Sequence, residues 1–320
     1  MALHRLTQIV MGVPNVEETA AYYTDFGLSP RAADTDVSAA LTPSPGRAFV
    51  TVDGGEQLRI VHSDRRRLLE LGVGADDPDD LERVAASLAA LGVAVERAGA
   101  EVRAVDPGTE VTVRVEIAQR CRQDPVPVPA YNSPGVDART GQRAPGILRE
   151  DPVRPRRLGH VVLGSTDQEL SQRFFREGIG FKVSDTVPGL AAFMRCSTDH
   201  HNVLVQQAPV AFLHHTSWQV DDVDEVGRGA TAMLAKDPGR HVWGLGRHHV
   251  GSNFFWYLKD PAGNFSEYYS DLDCIVDDAL WQPGVWEGPR GLYSWGPPPP
   301  PSFLAPEDLA ALMTGAHQPK

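Results

Sequence analysis

The stretch RLGHVVLGS at residues 157–165 repeats, in altered form, the stretch RLTQIVMGV at residues 5–13. Four of the nine positions are identical, and the apolar positions agree in character. Both stretches have the short, apolar, β-branched composition of a buried strand. The polar position inside the strand differs, because the second copy has His160 where the first has Gln8. A duplicated strand with a histidine in only one copy indicates that the two copies have different roles.

The repeat continues beyond this strand. NVEETAAYYTDFGL (residues 15–28) aligns with STDQELSQRFFREGIGF (residues 165–181); each begins with a capping-type residue, carries an aromatic pair and ends near a glycine. Alternating strands follow, then a second helix with an acidic start, then further strands that end in VDPGTEVTVRVEIA or KDPAGNFSEYYSD. Each copy therefore predicts two βαβββ units, and the chain predicts an α+β fold of two tandem modules with cupped mixed sheets.

Changes in composition set the expected boundaries. We assign residues 1–120 to the first module and 156–272 to the second. Residues 121–155 contain seven prolines and are interpreted as an extended linker. Residues 273–320 are rich in aromatic residues, glycine and proline, which excludes a long helix or a central strand. We expect this tail to pack onto the second module and cover its active site.

Composition excludes several classes of protein. The formal net charge of -12 argues against nucleic-acid binding, and the absence of an apolar run of about 18 residues argues against a membrane span. The three cysteines are far apart and form no CxxC pair, so neither a disulfide framework nor a thiolate zinc site is indicated. A reducing cytoplasm is the expected location. Eight of the eleven histidines fall between His160 and His249, which a random scatter would not produce.

Three residues of the second copy form a candidate metal site. His160 lies in the first strand, and His215 in FLHHTSWQV occupies the equivalent place in the next half-unit. Glu267 lies within the last strand among apolar and aromatic neighbours, where an acid must be paired, exposed or metal-bound. Two histidines and one carboxylate make a facial triad that suits Fe(II), or Mn(II), and leaves coordination positions open.

The first copy serves as an internal control for this interpretation. Gln8 stands in place of His160, and Glu70 falls where His215 would be. Thr112 falls near the position of Glu267 if a one-residue gap is allowed at the turn. The first module is therefore expected to keep the fold without a metal site.

A longer stretch of the second copy carries a family resemblance. In GRHHVGSNFFWYLKDPAGNFSEYY, His248 is followed after nine residues by Tyr257 and after ten more by Glu267. This spacing resembles the signature of the type I extradiol ring-cleavage dioxygenases of the vicinal oxygen chelate superfamily. The resemblance is sharpest over residues 158–270, and the tail is most similar to the homoprotocatechuate and catechol 2,3-dioxygenase branch.

The resemblance implies a function and further site residues. It implies an Fe(II) enzyme, with Mn(II) as the other option, that uses O2 to open the ring of a catechol next to its diol. It makes His201, in DHHNVLV, an acid–base catalyst, and makes His248 and Tyr257 substrate-contacting residues. It also implies a homo-oligomer, either a dimer or a tetramer. The unmatched neighbours His200, His214 and His249 are expected to face away from the site as structural or surface residues.

The sequence departs from the family pattern near the substrate. Several family members carry a polar residue two positions after the first histidine ligand, where this chain has Val162. Trp243 stands where an arginine for an acidic substrate is expected. These departures favour an aromatic, apolar pocket and a bulky or uncharged catechol. The predicted substrate-binding residues are Phe193, Trp243, Val250, Phe255 and Arg290.

Three alternatives stay open from the sequence. Val162 leaves room for oxidation of a natural-product phenol or catechol at the same iron site without ring opening. A glyoxalase-type isomerase or a thiol transferase would use the same fold, although such proteins usually take ligands from both modules. A drug-binding resistance protein would have no use for three metal ligands.

Overall fold

The first module consists of two copies of one unit, in which a strand is followed by a helix and then by further strands. The computed structural model describes residues 3–31 and 46–314 of the chain. The elements of this module are β1 (Leu3–Val13), α1 (Val16–Asp25), β2 (Ser29–Pro30), β3 (Arg47–Thr51), β4 (Gly55–His62), β5 (Arg67–Ala75), α2 (Pro78–Ala90), β6 (Glu96–Ala98), β7 (Glu101–Val105) and β8 (Thr112–Ile117). The strands form one sheet in the order β2-β3-β4-β1-β5-β8-β7-β6.

The second module repeats this arrangement. Its elements are β9 (Arg157–Ser165), α3 (Gln168–Arg173), β10 (Lys182–Val187), β11 (Ala191–Arg195), β12 (Val203–Gln207), β13 (Phe212–Gln219), α4 (Val223–Lys236), β14 (His241–Arg247), β15 (Phe254–Lys259) and β16 (Phe265–Ser270). One π-helical segment (Phe174–Ile179) continues α3, and a short 3-10 turn (Pro238–Arg240) follows α4. The sheet runs β14-β15-β16-β13-β9-β12-β11-β10, and a short tail strand, β17 (Gly284–Val285), lies beside β10.

This architecture confirms the predicted α+β fold with two βαβββ units in each module. In both modules the two unit-opening strands pair antiparallel at the centre of the sheet, β1 with β5 and β9 with β13. The acidic starts of the second helices act as expected. The side chains of Asp77 and Asp222 accept hydrogen bonds from the backbone N–H groups of Asp80 and Glu225 and cap α2 and α4.

The linker and the tail have little regular structure. A 3-10 turn (Pro145–Leu148) and a single bridge between Ser133 and Val136 are the elements that the structure has between β8 and β9. The tail has two 3-10 turns (Asp278–Leu280 and Gly288–Gly291) and two short helices, α5 (Pro301–Leu304) and α6 (Leu309–Thr314). Within residues 3–31 and 46–314, no helix is both long enough and apolar enough to cross a bilayer.

Aromatic side chains join the two modules. The rings of Phe26, at the end of α1, and Tyr268, on β16, stack with centroids 3.8 Å apart, and both are fully buried. The Tyr268 hydroxyl donates a hydrogen bond of 2.7 Å to the Phe26 carbonyl. The Tyr22 and Ser266 hydroxyls are also hydrogen-bonded across this interface. Because Tyr268 adjoins Glu267, the contact also anchors the strand that carries the carboxylate.

Replacing Phe26 tests this anchor. Phe26→Ala should lower the free energy of unfolding by about 3–5 kcal/mol, because it empties a buried ring site. Phe26→Leu, which keeps most of the volume, should lose less than about 1.5 kcal/mol. Urea unfolding of the metal-free protein measures both. Equal losses in the two variants would contradict the stacking role of the ring.

Candidate metal centre

The register of neighbouring strands places the candidate ligands on one face of the second sheet. His160 on β9 lies opposite Ser217 on β13, and Ser217 lies opposite Glu267 on β16. Tyr257 on β15 lies opposite Glu267 in turn. Directly opposed residues point to the same face, and His215, two positions before Ser217, shares that face. The pairing therefore brings all three predicted ligands, and Tyr257, to one side of the sheet.

The three ligand side chains converge closely. His160 Nε2 lies 3.1 Å from Glu267 Oε2, and His215 Nε2 lies 3.7 Å from the same oxygen. The two Nε2 atoms are 3.4 Å apart. Adjacent ligands of an ion with bonds of about 2.1 Å stand about 3 Å apart when their bonds are at right angles. The arrangement is close to the facial geometry that an octahedral divalent ion requires.

The charge states fit a divalent metal. Burial alone would raise the pKa of Glu267, but the approach of His160 outweighs it and leaves the pKa below its ordinary value. Burial, followed by neighbouring histidines, lowers the pKa of His215 well below its ordinary value. Glu267 Oε2 is fully buried and has no well-aligned hydrogen-bond donor. An ionised carboxylate and two imidazoles facing one small space form the donor set of an Fe(II) or Mn(II) site.

Asn253 orients the carboxylate ligand, a role that no pattern in the sequence indicates. Its Nδ2–H donates to Glu267 Oε1 over 3.1 Å, and the side chain is fully buried. Asn253 precedes β15 and is separated from Glu267 by 14 positions, so only the pairing of β15 with β16 brings the two together. A donor on the second oxygen leaves Oε2 free for a metal.

His248 and Tyr257 form a hydrogen-bonded pair beside the ligands. His248 Nε2 and the Tyr257 hydroxyl are 2.9 Å apart, while His248 Nδ1 faces the carbonyl of Leu292 in the tail. A carbonyl only accepts, so Nδ1 carries the hydrogen, and Nε2 of the neutral ring accepts from the Tyr257 hydroxyl. Burial, followed by the charge of Glu267, raises the pKa of Tyr257 well above its ordinary value. The phenol is therefore neutral and offers its oxygen lone pair to the site.

His201 also lies at the site, in the loop before β12. Its ring centroid is 4.2 Å from that of His160, and the side chain is almost fully buried. Burial lowers its pKa well below the ordinary histidine value, and the surrounding histidines add to the effect. The structure therefore brings His201, His248 and Tyr257 to the same cluster as the three candidate ligands.

The expectation that His200 and His214 face away from the site is wrong. Both are buried, and each contacts the neighbouring histidine through Nδ1, at 3.1 Å for His200–His201 and 2.8 Å for His214–His215. Strand alternation fails here for two reasons. A β-bulge interrupts the pairing of β13 at His214, and the His200–His201 pair precedes β12 instead of lying within it. His249 packs its ring edge-on against Trp286 of the tail.

A second cross-strand row forms an apolar surface beside the ligands. Phe193 lies opposite Leu204, Leu204 opposite Val162, and Val162 opposite His215. Val250 packs into the same cluster as Phe193. The predicted pocket residues Phe193 and Val250 therefore lie together, with Val162, next to the ligand face.

The other predicted pocket residues lie in different places. Trp243 on β14 lies opposite Tyr257, and Phe255 stacks on His248 with ring centroids 4.1 Å apart. Both are fully buried around the His248–Tyr257 pair. Arg290 is exposed in a 3-10 turn of the tail, so the structure does not bring it into this buried cluster. The sequence located Arg290 only by its place in the tail, which does not fix the direction of a side chain.

The first module has an arginine where the second has its carboxylate ligand. β5 pairs with β8 so that Gly72, the counterpart of Ser217, lies opposite Arg114. The sequence placed Thr112 near the Glu267 position, and the register gives that position to Arg114, two residues further along β8. The Arg114 guanidinium donates to Glu70 Oε1 at 2.7 Å and to Gln8 Oε1 at 3.4 Å. A side-chain cation thus lies between the residues equivalent to the two histidine ligands.

Comparison with known proteins identifies relatives along the whole chain. A profile of the glyoxalase/bleomycin resistance protein/dioxygenase superfamily matches residues 157–268. Metapyrocatechase 2 of Cupriavidus necator is 31% identical over 313 residues, which cover 95% of this chain and 92% of that protein. An iron-dependent extradiol dioxygenase of Rhodococcus jostii (strain RHA1) is 30% identical over 139 residues, covering 39% of this chain and 46% of that protein.

Solved structures share the fold. The Mn(II)-bound glyoxalase from Novosphingobium aromaticivorans superposes with a TM-score of 0.73 and 24% identity, covering 92% of this chain and 91% of that chain. Homoprotocatechuate 2,3-dioxygenase from Arthrobacter globiformis superposes with a TM-score of 0.72 and 17% identity, covering 95% and 91%. At these identities the likeness is one of fold.

Removing the partner of Glu267 should weaken metal binding without abolishing it. Asn253→Ala should lower the affinity for Fe(II) by about 10–100-fold, the usual effect of losing a group that orients a ligand. Anaerobic competition with a chelator measures the affinity. Ser252→Ala is the matched control, because the Ser252 hydroxyl donates to Asp273 instead. Unchanged affinity in folded Asn253→Ala protein would contradict the orienting role.

Removing the cation of the first module should affect stability and leave the metal in place. Arg114→Leu removes the cation that pairs with both Glu70 and Glu116, although Glu70 keeps its ion pair with Arg103. The free energy of unfolding should fall by about 2–4 kcal/mol, a little less than for a completely buried pair. Denaturant unfolding measures the loss, and metal analysis of the same variant should match the wild-type content. Loss of metal from Arg114→Leu would show that the first module takes part in binding.

Proposed function

The chain belongs to the glyoxalase/bleomycin resistance protein/dioxygenase superfamily, and on that basis we propose that it is an Fe(II)-dependent extradiol dioxygenase. In this proposal the enzyme inserts both atoms of O2 into a catechol and opens the ring next to the diol. The observation that carries the proposal is the convergence of His160, His215 and Glu267 with a second layer of proton-accepting groups. A metal site that only bound a ligand would not need that second layer.

The proposed ligands are His160, His215 and Glu267, each offering one atom to a divalent ion. Fe(II) held there would let electrons pass from the catecholate to O2, which do not react directly because O2 is a triplet. Mn(II) suits the same donor set. Glu267 would add one negative charge, which offsets part of the charge of a divalent ion.

The proton-handling residues are the best support for catechol chemistry. A diol must lose protons to bind as a catecholate, and the neutral hydroxyl oxygen of Tyr257, beside Glu267, can orient a diol O–H by accepting its hydrogen bond. His248 accepts the Tyr257 hydrogen, so its bond turns the phenol lone pair toward the substrate. His201, beside His160, is the proposed acid–base group, which takes a proton from the diol and supplies it in the later proton transfers.

The surroundings of the site favour an uncharged substrate. Phe193, Val162 and Val250 present apolar side chains next to the ligand face. The nearby Arg247 already pairs with a carboxylate of the protein, since it forms an ion pair with Asp271, and its guanidinium lies over the Phe254 ring. We propose a catechol with an apolar substituent in preference to one that carries a carboxylate.

The working form proposed here is a cytoplasmic homo-oligomer, either a dimer or a tetramer. All three cysteines are free thiols, which agrees with a reducing compartment. The linker exposes apolar side chains, among them Val128 at 89% and Ile147 at 66% exposure, which suit burial against another copy. Light scattering of the purified protein distinguishes a monomer from either oligomer.

The reaction is tested with the anaerobically reconstituted Fe(II) protein. Addition of catechols in air should produce the yellow ring-fission product, with higher kcat/KM for an apolar than for a carboxylated substituent. Tyr257→Phe should lower kcat by about 10²-fold, because it removes the hydroxyl that orients the diol by a hydrogen bond. Tyr131→Phe, at an exposed linker tyrosine, is the matched control. Oxidised product with an intact ring, or isomerisation of a thiol adduct instead, would refute ring cleavage.

A further inference from the structure

A buried hydrogen-bonded chain runs from Asp185 on β10 through His200 to His201 in the loop before β12. The proposed reaction assigns a role to His201 but none to the other two residues. Asp185 Oδ2 lies 3.3 Å from His200 Nε2, and His200 Nδ1 lies 3.1 Å from His201 Nδ1. All three side chains are buried. The rings of Phe193 and Trp281 pack edge-on against His200. A carboxylate, an imidazole and a second imidazole are therefore joined in series, and the last member faces the metal site.

The carboxylate end of the chain is firmly held. Asp185 lies on β10 opposite Gly284 of the tail strand β17 and accepts the backbone N–H of that glycine. The Trp286 indole N–H donates to Asp185 Oδ2 at 3.0 Å. Burial alone would raise the pKa of Asp185, but the hydrogen bonds from His200, Gly284 and Trp286 outweigh it and lower the pKa. Asp185 is therefore an ionised group that can only accept.

The carboxylate at this end fixes the first hydrogen of the chain. Because Asp185 only accepts, His200 Nε2 carries a hydrogen. A neutral ring protonated at Nε2 has a bare Nδ1, so His201 must donate its own Nδ1–H to it. The Nε2 of His201 is then left as a free lone pair.

We propose that Asp185 and His200 are positioning residues that keep the hydrogen of His201 on Nδ1 and present its Nε2 lone pair to the bound diol. The proposal deepens the dioxygenase function and rests on it. When a diol O–H bond breaks, its proton forms the new N–H bond at His201 Nε2, and the electron pair stays on the catecholate oxygen. The positive charge gained by His201 is stabilised through His200 by Asp185, as in a catalytic triad. The same proton is later available for return to the product.

The C-terminal tail takes part in this arrangement as well. β17 holds Asp185 through Gly284 and Trp286, so the packing of the tail influences the hydrogen position of His201 through His200. The His214–His215 pair has the same design, since His214 Nε2 donates to the Phe303 carbonyl of the tail over 2.6 Å. The packing of the tail and the positions of the imidazole hydrogens are thus linked by hydrogen bonds.

The first test is the nitrogen NMR spectrum of the histidine rings in metal-free protein. The wild type should show His201 protonated at Nδ1 and His200 at Nε2. Asp185→Asn should shift the population of His201 toward the Nε2–H form, because the amide cannot accept from Gly284, Trp286 and His200 together. Asp278→Asn is the matched control, since this tail carboxylate pairs with Lys182 and Arg195 at the surface. A His201 hydrogen on Nε2 in the wild type, or a doubly protonated His200, would overturn the proposal.

Kinetics of the Fe(II)-loaded enzyme give the second readout. Asp185→Asn should lower kcat by about 10²-fold with less than about a threefold change in KM, because proton transfer is impaired while binding is kept. If Asp185→Asn does not fold, His200→Gln, which keeps much of the volume, should show the same split. Unchanged kcat in the folded variants would refute the proposal. If wild-type enzyme opens no catechol, the dioxygenase function fails, and the NMR result alone decides the positioning role.

Discussion

The site depends on one constraint, which is that three hydrogen-bonded strands force a carboxylate and two imidazoles into one buried space. His160, His215 and Glu267 reach this space because β9, β13 and β16 are neighbours in fixed register. Burying an ionised carboxylate without a partner costs several kcal/mol, so the arrangement needs a cation. Asn253 holds one carboxylate oxygen and leaves the other free for that cation. His201, His248 and Tyr257 lie around the same point.

In the first module, a side-chain cation occupies the space that corresponds to the metal site. Arg114 replaces the carboxylate ligand, and its guanidinium binds Glu70 and Gln8, which stand in place of the two histidines. An arginine is always charged and needs no metal. The two modules therefore share one fold and place opposite charges at the equivalent position, Arg114 in the first and Glu267 in the second.

Local sequence pattern predicted the fold and picked out three side chains that the structure brings together, because the duplicated strands, caps and glycines repeat at fixed offsets. The same reasoning failed where the chain departs from regular geometry. The bulge at His214 and the loop position of His200 interrupt the alternation of side chains along a strand. The length of the turn before β8 was not known from the sequence, so Thr112 was aligned two residues before Arg114, which occupies the position equivalent to Glu267. The carbonyls of Leu292 and Phe303 were beyond prediction, since any residue supplies a carbonyl and only the path of the tail decides which histidine it meets.

The most direct test of the account is the number of ions that each chain binds. Anaerobic calorimetric titration of metal-free protein with Fe(II) should give one tight site per chain, and His215→Ala should remove it. Binding of two ions would show that the first module also holds metal. Tight binding that survives His215→Ala would place the ion elsewhere, and either result would contradict a single centre built from His160, His215 and Glu267.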